Sequence, residues 1–225
     1  MTVSILQSNY IPWKGYFDII AKSDVFVIYD EVQYTRRDWR NRNLIKTSNG
    51  LKWLTIPVLQ DNYYQKICET KILHGNWIKK HRSTIQMNYS KAPYFNDYKD
   101  IFFEVYDISL NNLSELNKLF IEKVCAVLSI ETKIIDSREL NLEGDKVGRL
   151  VDACRKLNAT NYLSGPAAKN YINEGLFHQN KIKLEWMDYS NYKEYNQLYP
   201  PFEHGVSVID LIFNEGAKAR SFLKY

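Results

Sequence analysis

Apolar positions along this chain fall into short runs, alternating with stretches where they recur every three or four residues. Val3–Leu6 is such a run; it stops at the polar and aromatic segment Gln7–Gly15, and amphipathic Tyr16–Ala21 follows. A second run, Val25–Tyr29, stops at Asp30. Short apolar runs with polar borders predict buried strands, and the three- and four-residue spacing predicts helices. Asn43–Thr47 and Leu51–Val58 flank Ser48-Asn49-Gly50, where the glycine supplies the positive φ of a tight hairpin. Lys66–Leu73 predicts another strand, Trp77–Tyr89 a helix with a basic outer face, and Ala92–Asp107 a broken helix. The clearest helix spans Leu113–Leu128, with Asn111, Asn112 or Ser114 as its cap. Beyond it, Thr132–Asp136, Asn161–Leu163 and Lys181–Met187 predict strands. Helices over Asp145–Leu157 and Ala167–Ile172 separate them, and Val206–Phe213 predicts a closing helix stopped by Gly216.

Strands alternating with helices at this spacing predict one α/β domain, residues 1–225, with a mostly parallel sheet flanked by helices. The hairpin and the helices up to Asp107 then form an insertion over about 48–108. In an open sheet of this kind ligands bind beyond the carboxyl ends of the strands. That rule selects two clusters. Gln7, Tyr10, Trp13, Lys14 and Gly15 follow the first strand; Asp30 ends the second, and Gln33, Tyr34, Arg36, Arg37, Arg40, Asn41 and Arg42 follow it.

Composition narrows the class without naming a substrate. Of 225 residues 45% are hydrophobic, enough for a sizeable core, and no apolar run approaches the length of a membrane span. The first residues have neither a basic start nor a long apolar stretch, so no secretory signal is expected. The three cysteines, Cys68, Cys125 and Cys154, are odd in number and far apart, which fits free thiols in a reducing cytoplasm. A net charge of +4 suits a phosphate-bearing small molecule as well as a nucleic acid.

Candidate chemistry follows from position. Arg36, Arg37, Arg40 and Arg42 around Trp39 could grip a nucleotide diphosphate or a nucleic-acid backbone, since guanidinium forks match phosphate oxygens. A solvated charged loop is the plain alternative. Asp30 is a candidate base whose pKa falls if an arginine pairs with it and rises if apolar neighbours desolvate it. His204, in a loop before the last helix, is a second candidate base. Lys14 adds a point charge near a helix start, although neither a Walker loop nor a GxGxxG pattern is present. Ser164-Gly165 and Ser137-Arg138 mark two further strand ends, each equally readable as a tight turn. The four histidines and three cysteines show no metal-ligand spacing, so no metal site is expected.

The stretch QSNYIPWKGYFDIIAKSDVFVIYDEVQYTRRDWRNRNLIKTSNGLKWLTIPV resembles the WbqC-like family, as do TNYLSGPAAKNYI and FEHGVSVIDLIFNEG in the same order. The family occurs in bacterial O-antigen and other surface-polysaccharide gene clusters. The resemblance implies a transferase placing glycine or another amino acid on a nucleotide-linked amino sugar. It carries Gln7, Tyr10, Pro12, Trp13, Gly15, Asp30, Gln33, Tyr34, Arg40, Asn41, Arg42, Ser164, Gly165 and Asp210 as motif positions. In such a reaction Asp30 or His204 would serve as base, Arg40 or the Ser164-Gly165 amides as oxyanion donors, and the remaining arginines as phosphate ligands. No cofactor is implied beyond a nucleotide or nucleotide sugar as ligand. A fainter resemblance is to HIGH-type nucleotidylyltransferases, which implies a Rossmann-like, HUP-type sheet and adenylate chemistry. Tyr10 and Trp13-Lys14 stand where that family has histidines. The alternatives are therefore an ATP-dependent adenylate-forming ligase, a tRNA-binding protein recognising an aminoacyl-tRNA, and a non-catalytic assembly protein of the same pathway.

Overall fold

The computed structural model describes residues 1–225. In chain order the elements begin with β1 (Thr2–Leu6), α1 (Lys14–Ala21) and β2 (Val25–Ile28). Next come β3 (Arg42–Thr47), β4 (Gly50–Thr55), β5 (Val58–Leu59) and β6 (Lys71–Ile72), then α2 (Trp77–Tyr89), α3 (Phe95–Asp107) and α4 (Leu113–Val127). The chain closes through β7 (Lys133–Asp136), α5 (Gly148–Lys156), β8 (Asn161–Ser164), α6 (Glu174–Gln179), β9 (Lys183–Trp186) and α7 (Val208–Glu215). Five strands form one all-parallel sheet in the order β7-β2-β1-β8-β9. Counted within the sheet this is the order 3-2-1-4-5 of a Rossmann-like fold.

Alternation along the strands builds a core on each face. In β2, Val25 and Val27 join a cluster with Leu150, Val151 and Cys154 of α5 and Phe177 of α6. Phe26 and Ile28 point the other way, into a larger cluster with α1, α4 and α7. Successive strand side chains point to opposite faces, so apolar residues at every position of β2 require helices on both sides. Burial also holds Cys125 and Cys154 as free thiols, their pKa values pushed up to about 12.

Between β2 and α4 the chain forms the β3–β4 hairpin, the β5–β6 pair, α2 and α3; none of their strands joins the five-stranded sheet. The hairpin turns at Ser48-Asn49, with Thr47 opposite Gly50 and Gly50 at φ 96°. Asn112 caps α4, its side chain accepting from the Ser114 and Glu115 amides at 2.9 and 3.2 Å.

Three expected elements differ. The strand expected over Leu51–Val58 ends at Thr55, because Pro57 has no N–H to give the ladder. Lys66–Leu73 is a 3-10 turn at Ile67–Glu69 and the two-residue β6. There the Glu69 carboxylate accepts from the Lys66 amide at 2.9 Å and Thr70 Oγ1 donates to the Lys66 carbonyl at 2.9 Å, local bonds that compete with a ladder. Ala167–Ile172 is a 3-10 turn, Pro166–Asn170, after which Asn173 caps a new helix, α6, by accepting from the Gly175 amide. No helix is long and apolar enough to cross a membrane.

Candidate functional site

The segment leaving β1 and the segment leaving β2 meet at the carboxyl edge of the sheet. Asp30 holds them together. Its Oδ1 accepts from the Ser8 amide at 2.8 Å and its Oδ2 from the Ser114 hydroxyl at the start of α4. Asn117, one turn along α4, donates to Ser8 Oγ at 3.0 Å and to the Arg40 carbonyl at 2.9 Å. Burial pushes the Asp30 pKa up, against its hydrogen bonds and the Arg40 charge. Both oxygens are engaged and only 2% of the residue is exposed, so no face is left for a substrate. We read Asp30 as an anchor of the loop in place of the base expected from its strand-end position.

Arg40 is the bridge between the two segments. Its guanidinium donates to Asn9 Oδ1 and, at 3.3 Å, to Gln7 Oε1, with Asp38 Oδ2 at 3.7 Å. The other arginines diverge. Arg36 donates to Gln60; Arg42 donates to the Arg37 carbonyl and stacks 4.0 Å from the Trp53 ring centre. Arg37 is exposed and its guanidinium has no acceptor in the protein. Asn41 donates to the Ile56 carbonyl at 2.8 Å, Gln33 to the Tyr63 carbonyl at 2.6 Å, and Tyr34 is buried. These three serve the β3–β6 region rather than the sheet edge.

Tyr10 is wholly buried, which corrects its assignment to a ligand. His81 Nε2 lies 3.1 Å from the Thr55 carbonyl and must donate there, so its Nδ1 accepts from the Tyr10 hydroxyl at 2.9 Å. The Tyr106 hydroxyl completes the chain, and burial lowers the His81 pKa to about 4, keeping the ring neutral. Asn43 clamps the same loop from the hairpin, donating to the carbonyls of Tyr10 and Ile11 at 3.0 and 2.9 Å.

A cleft of about 300 Å³ opens beside this loop, lined by Asn9, Pro12, Trp13, Trp39, Asn43 and Gly205. Trp13 lies edge-on to Tyr189 and Tyr192, with ring centres 5.2 and 5.7 Å away. Gly15 makes that position available: a Cβ there would sit 2.3 Å from the Trp13 ring. Trp39 stands opposite as an exposed ring, 5.3 Å from Trp53.

Lys14 points into the protein. Its amine donates to the Lys193 carbonyl at 3.2 Å and lies 4.8, 5.3 and 5.7 Å from the rings of Tyr192, Tyr195 and Phe202. Burial lowers its pKa to about 8, with Asp18, Asp210 and Glu194 opposing. The start of α1 is thus covered, the Val208 amide donating to the Pro12 carbonyl at 2.9 Å, and Lys14 is not presented to a phosphate. His204 follows Phe202, its ring 4.6 Å from that phenyl, and precedes Gly205 on the cleft rim. Burial and then the Lys14 charge lower its pKa, and its buried Nδ1 has no partner. Asp210 lies behind Lys14, wholly buried, accepting from Tyr89 and Tyr195 hydroxyls at 2.8 and 2.7 Å and from Gln197 at 2.8 Å.

Gln7, Ser164 and Gly165 line a second, smaller cavity between β1 and β8, with Lys146 and Tyr171. Ser137 and Arg138 leave the far edge strand β7, where they bond to Glu31 and Asp136, and line neither space. Nothing in the local pattern around Asn9, Lys146 or Tyr171 singles them out. Only the sheet order brings them to an edge.

No solved structure matches the chain. An uncharacterized protein of Mycobacterium tuberculosis (strain ATCC 25618 / H37Rv), Rv1507c, is 45% identical over 225 residues, covering 99% of this chain and 97% of the relative. The model of the WbqC-like protein family matches residues 7–222, which include both loop segments, the cleft and α7, and the chain belongs to that family.

Proposed function

We propose that the protein is a transferase of bacterial surface-polysaccharide synthesis that N-acylates a nucleotide-linked amino sugar with an amino acid such as glycine. The observation that carries the reading is the cleft between Trp13 and Trp39. Indole faces suit the apolar face of a pyranose, and few convergent polar groups orient a ligand in such a space. Asn9 supplies one: Arg40 occupies its oxygen, which leaves its Nδ2 free to donate. Arg37 supplies an unpaired charge for the diphosphate.

In this reaction the sugar amine attacks the acyl carbon, the new C–N bond forms, and the leaving group departs with its electron pair. His204 Nε2 takes the proton from the attacking nitrogen. Its lowered pKa keeps it neutral at pH 7, the state a base requires. Arg40 positions Gln7 and Asn9 instead of meeting the oxyanion.

Titrating tryptophan fluorescence with a nucleotide-linked amino sugar tests the site. Saturable binding is expected, weakened by Trp39→Ala and, by a charge-assisted bond worth about 1.5–3 kcal/mol, by Arg37→Ala. Equal affinity in folded Trp39→Ala would remove the cleft from the account. The exposed Trp39–Trp53 pair with Arg42 favours one second reading, a nucleic acid stacked on that platform. A steep fall of affinity with salt would select it, and a shallow one the diphosphate.

A further inference from the structure

The cavity between β1 and β8 shares no lining residue with the tryptophan cleft. Its origin is in the strand register. β1 pairs with β8 only at Thr2–Asn161 and Val3–Tyr162, whereas β1 stays on β2 as far as Leu6–Ile28. β8 likewise stays on β9 as far as Ser164–Trp186. β1 and β8 therefore part at their carboxyl ends, at the point where the sheet order reverses. Such a switch point is where open α/β sheets form a crevice. Here it encloses about 180 Å³.

The contents of the crevice define a ligand. The backbone N–H groups of Gln7 and Gly165, one at each parted strand end, donate to no group of the protein. Lys146 crosses the mouth with its amine 3.5 Å from the Tyr171 ring centre and no carboxylate partner. Two amide donors and one cation suit a single carboxylate. The rest of the lining is mainly aliphatic, including Leu6, Leu150 and Ala168. The volume is well below the roughly 300–1,000 Å³ of drug-sized ligand sites, too small for a nucleotide.

We propose that this crevice binds a short-chain carboxylic acid, its carboxylate on the Gln7 and Gly165 amides beneath Lys146 and its alkyl end against Leu6, Leu150 and Ala168. The site stands without the transfer reaction, to which none of Lys146, Leu6, Leu150 and Ala168 is assigned. Amide-resolved NMR with butyrate, and with inorganic phosphate as the second anion, tests it on the full chain. The Gln7 and Gly165 amide signals are expected to move saturably with butyrate and little with phosphate. Exposed Lys146→Met should weaken that binding by about tenfold or more, and exposed Ala167→Leu, which narrows the mouth, should weaken it as well. Unmoved signals at Gln7 and Gly165, an equal response to phosphate, or wild-type affinity in Lys146→Met would each overturn the proposal.

Discussion

Replacing His204 with Ala should lower acyl transfer by about 10²–10⁴-fold, the usual contribution of a positioned general base, while leaving sugar binding intact. The ring belongs to the loop that closes over Lys14, and burial and the Lys14 ammonium both disfavour its protonated form. The base is therefore available at neutral pH, and the acid limb of the wild-type rate should lie below the ordinary histidine pKa of about 6.5. That limb should vanish in His204→Ala. A folded variant with wild-type kcat and an unchanged acid limb in the pH–rate profile would remove His204 from the chemistry.

Asp210→Ala is expected to be the most destabilising single change near the site. The carboxylate accepts from Tyr89, Tyr195 and Gln197, so truncation strands two buried hydroxyl donors, each worth about 1–3 kcal/mol when left unsatisfied, while Gln197 keeps its bond to the Glu203 carbonyl. A total loss of roughly 3 kcal/mol would lower Tm by about 6–12 °C for a chain of this size. The pH dependence has a defined sign. Burial raises the folded-state pKa of Asp210 above its unfolded value, so the folded chain binds the extra proton. The contribution of Asp210 is then fully present below pH about 4 and declines as pH rises through the folded pKa. Denaturant unfolding of wild type and Asp210→Ala across this range should show a difference that narrows with rising pH. A difference that widens would contradict the assignment of burial as the dominant effect.

Parts of this fold were legible in the residue pattern for plain physical reasons. β2 is an unbroken apolar run, β1 and β7 are mainly apolar or β-branched, and α2 and α4 keep an apolar stripe through several turns. Strand ends follow from where those runs stop, which placed Gln7, Asp30, Ser164 and Gly165 at one edge of the sheet. The pattern could not say which of them face solvent. Asp30 and Tyr10 are polar enough to suggest a site, and only their tertiary partners, Ser114 and His81, show that they are spent on holding the loop. Lys14 fails for the same reason: its cage comes from Tyr192, Tyr195 and Phe202, 178 to 188 residues later in an irregular loop with no periodicity. Arg40 illustrates the opposite limit. Pairing of an arginine with Asp30 was one of two possibilities the pattern left open, and the partners of Arg40 are instead the side chains of Gln7 and Asn9, set by the meeting of two loops.

The central claim, transfer of an acyl group to an amino sugar in the Trp13–Trp39 cleft, is tested most directly by the mass of the product. The protein would be incubated with a nucleotide-linked amino sugar and an activated amino acid, alongside the Trp39→Ala and His204→Ala variants. The account predicts that the nucleotide sugar gains the aminoacyl group at its amine with wild-type protein and hardly at all with either variant. An unmodified sugar across the set of donors and sugars, or a product formed equally by all three proteins, would contradict it.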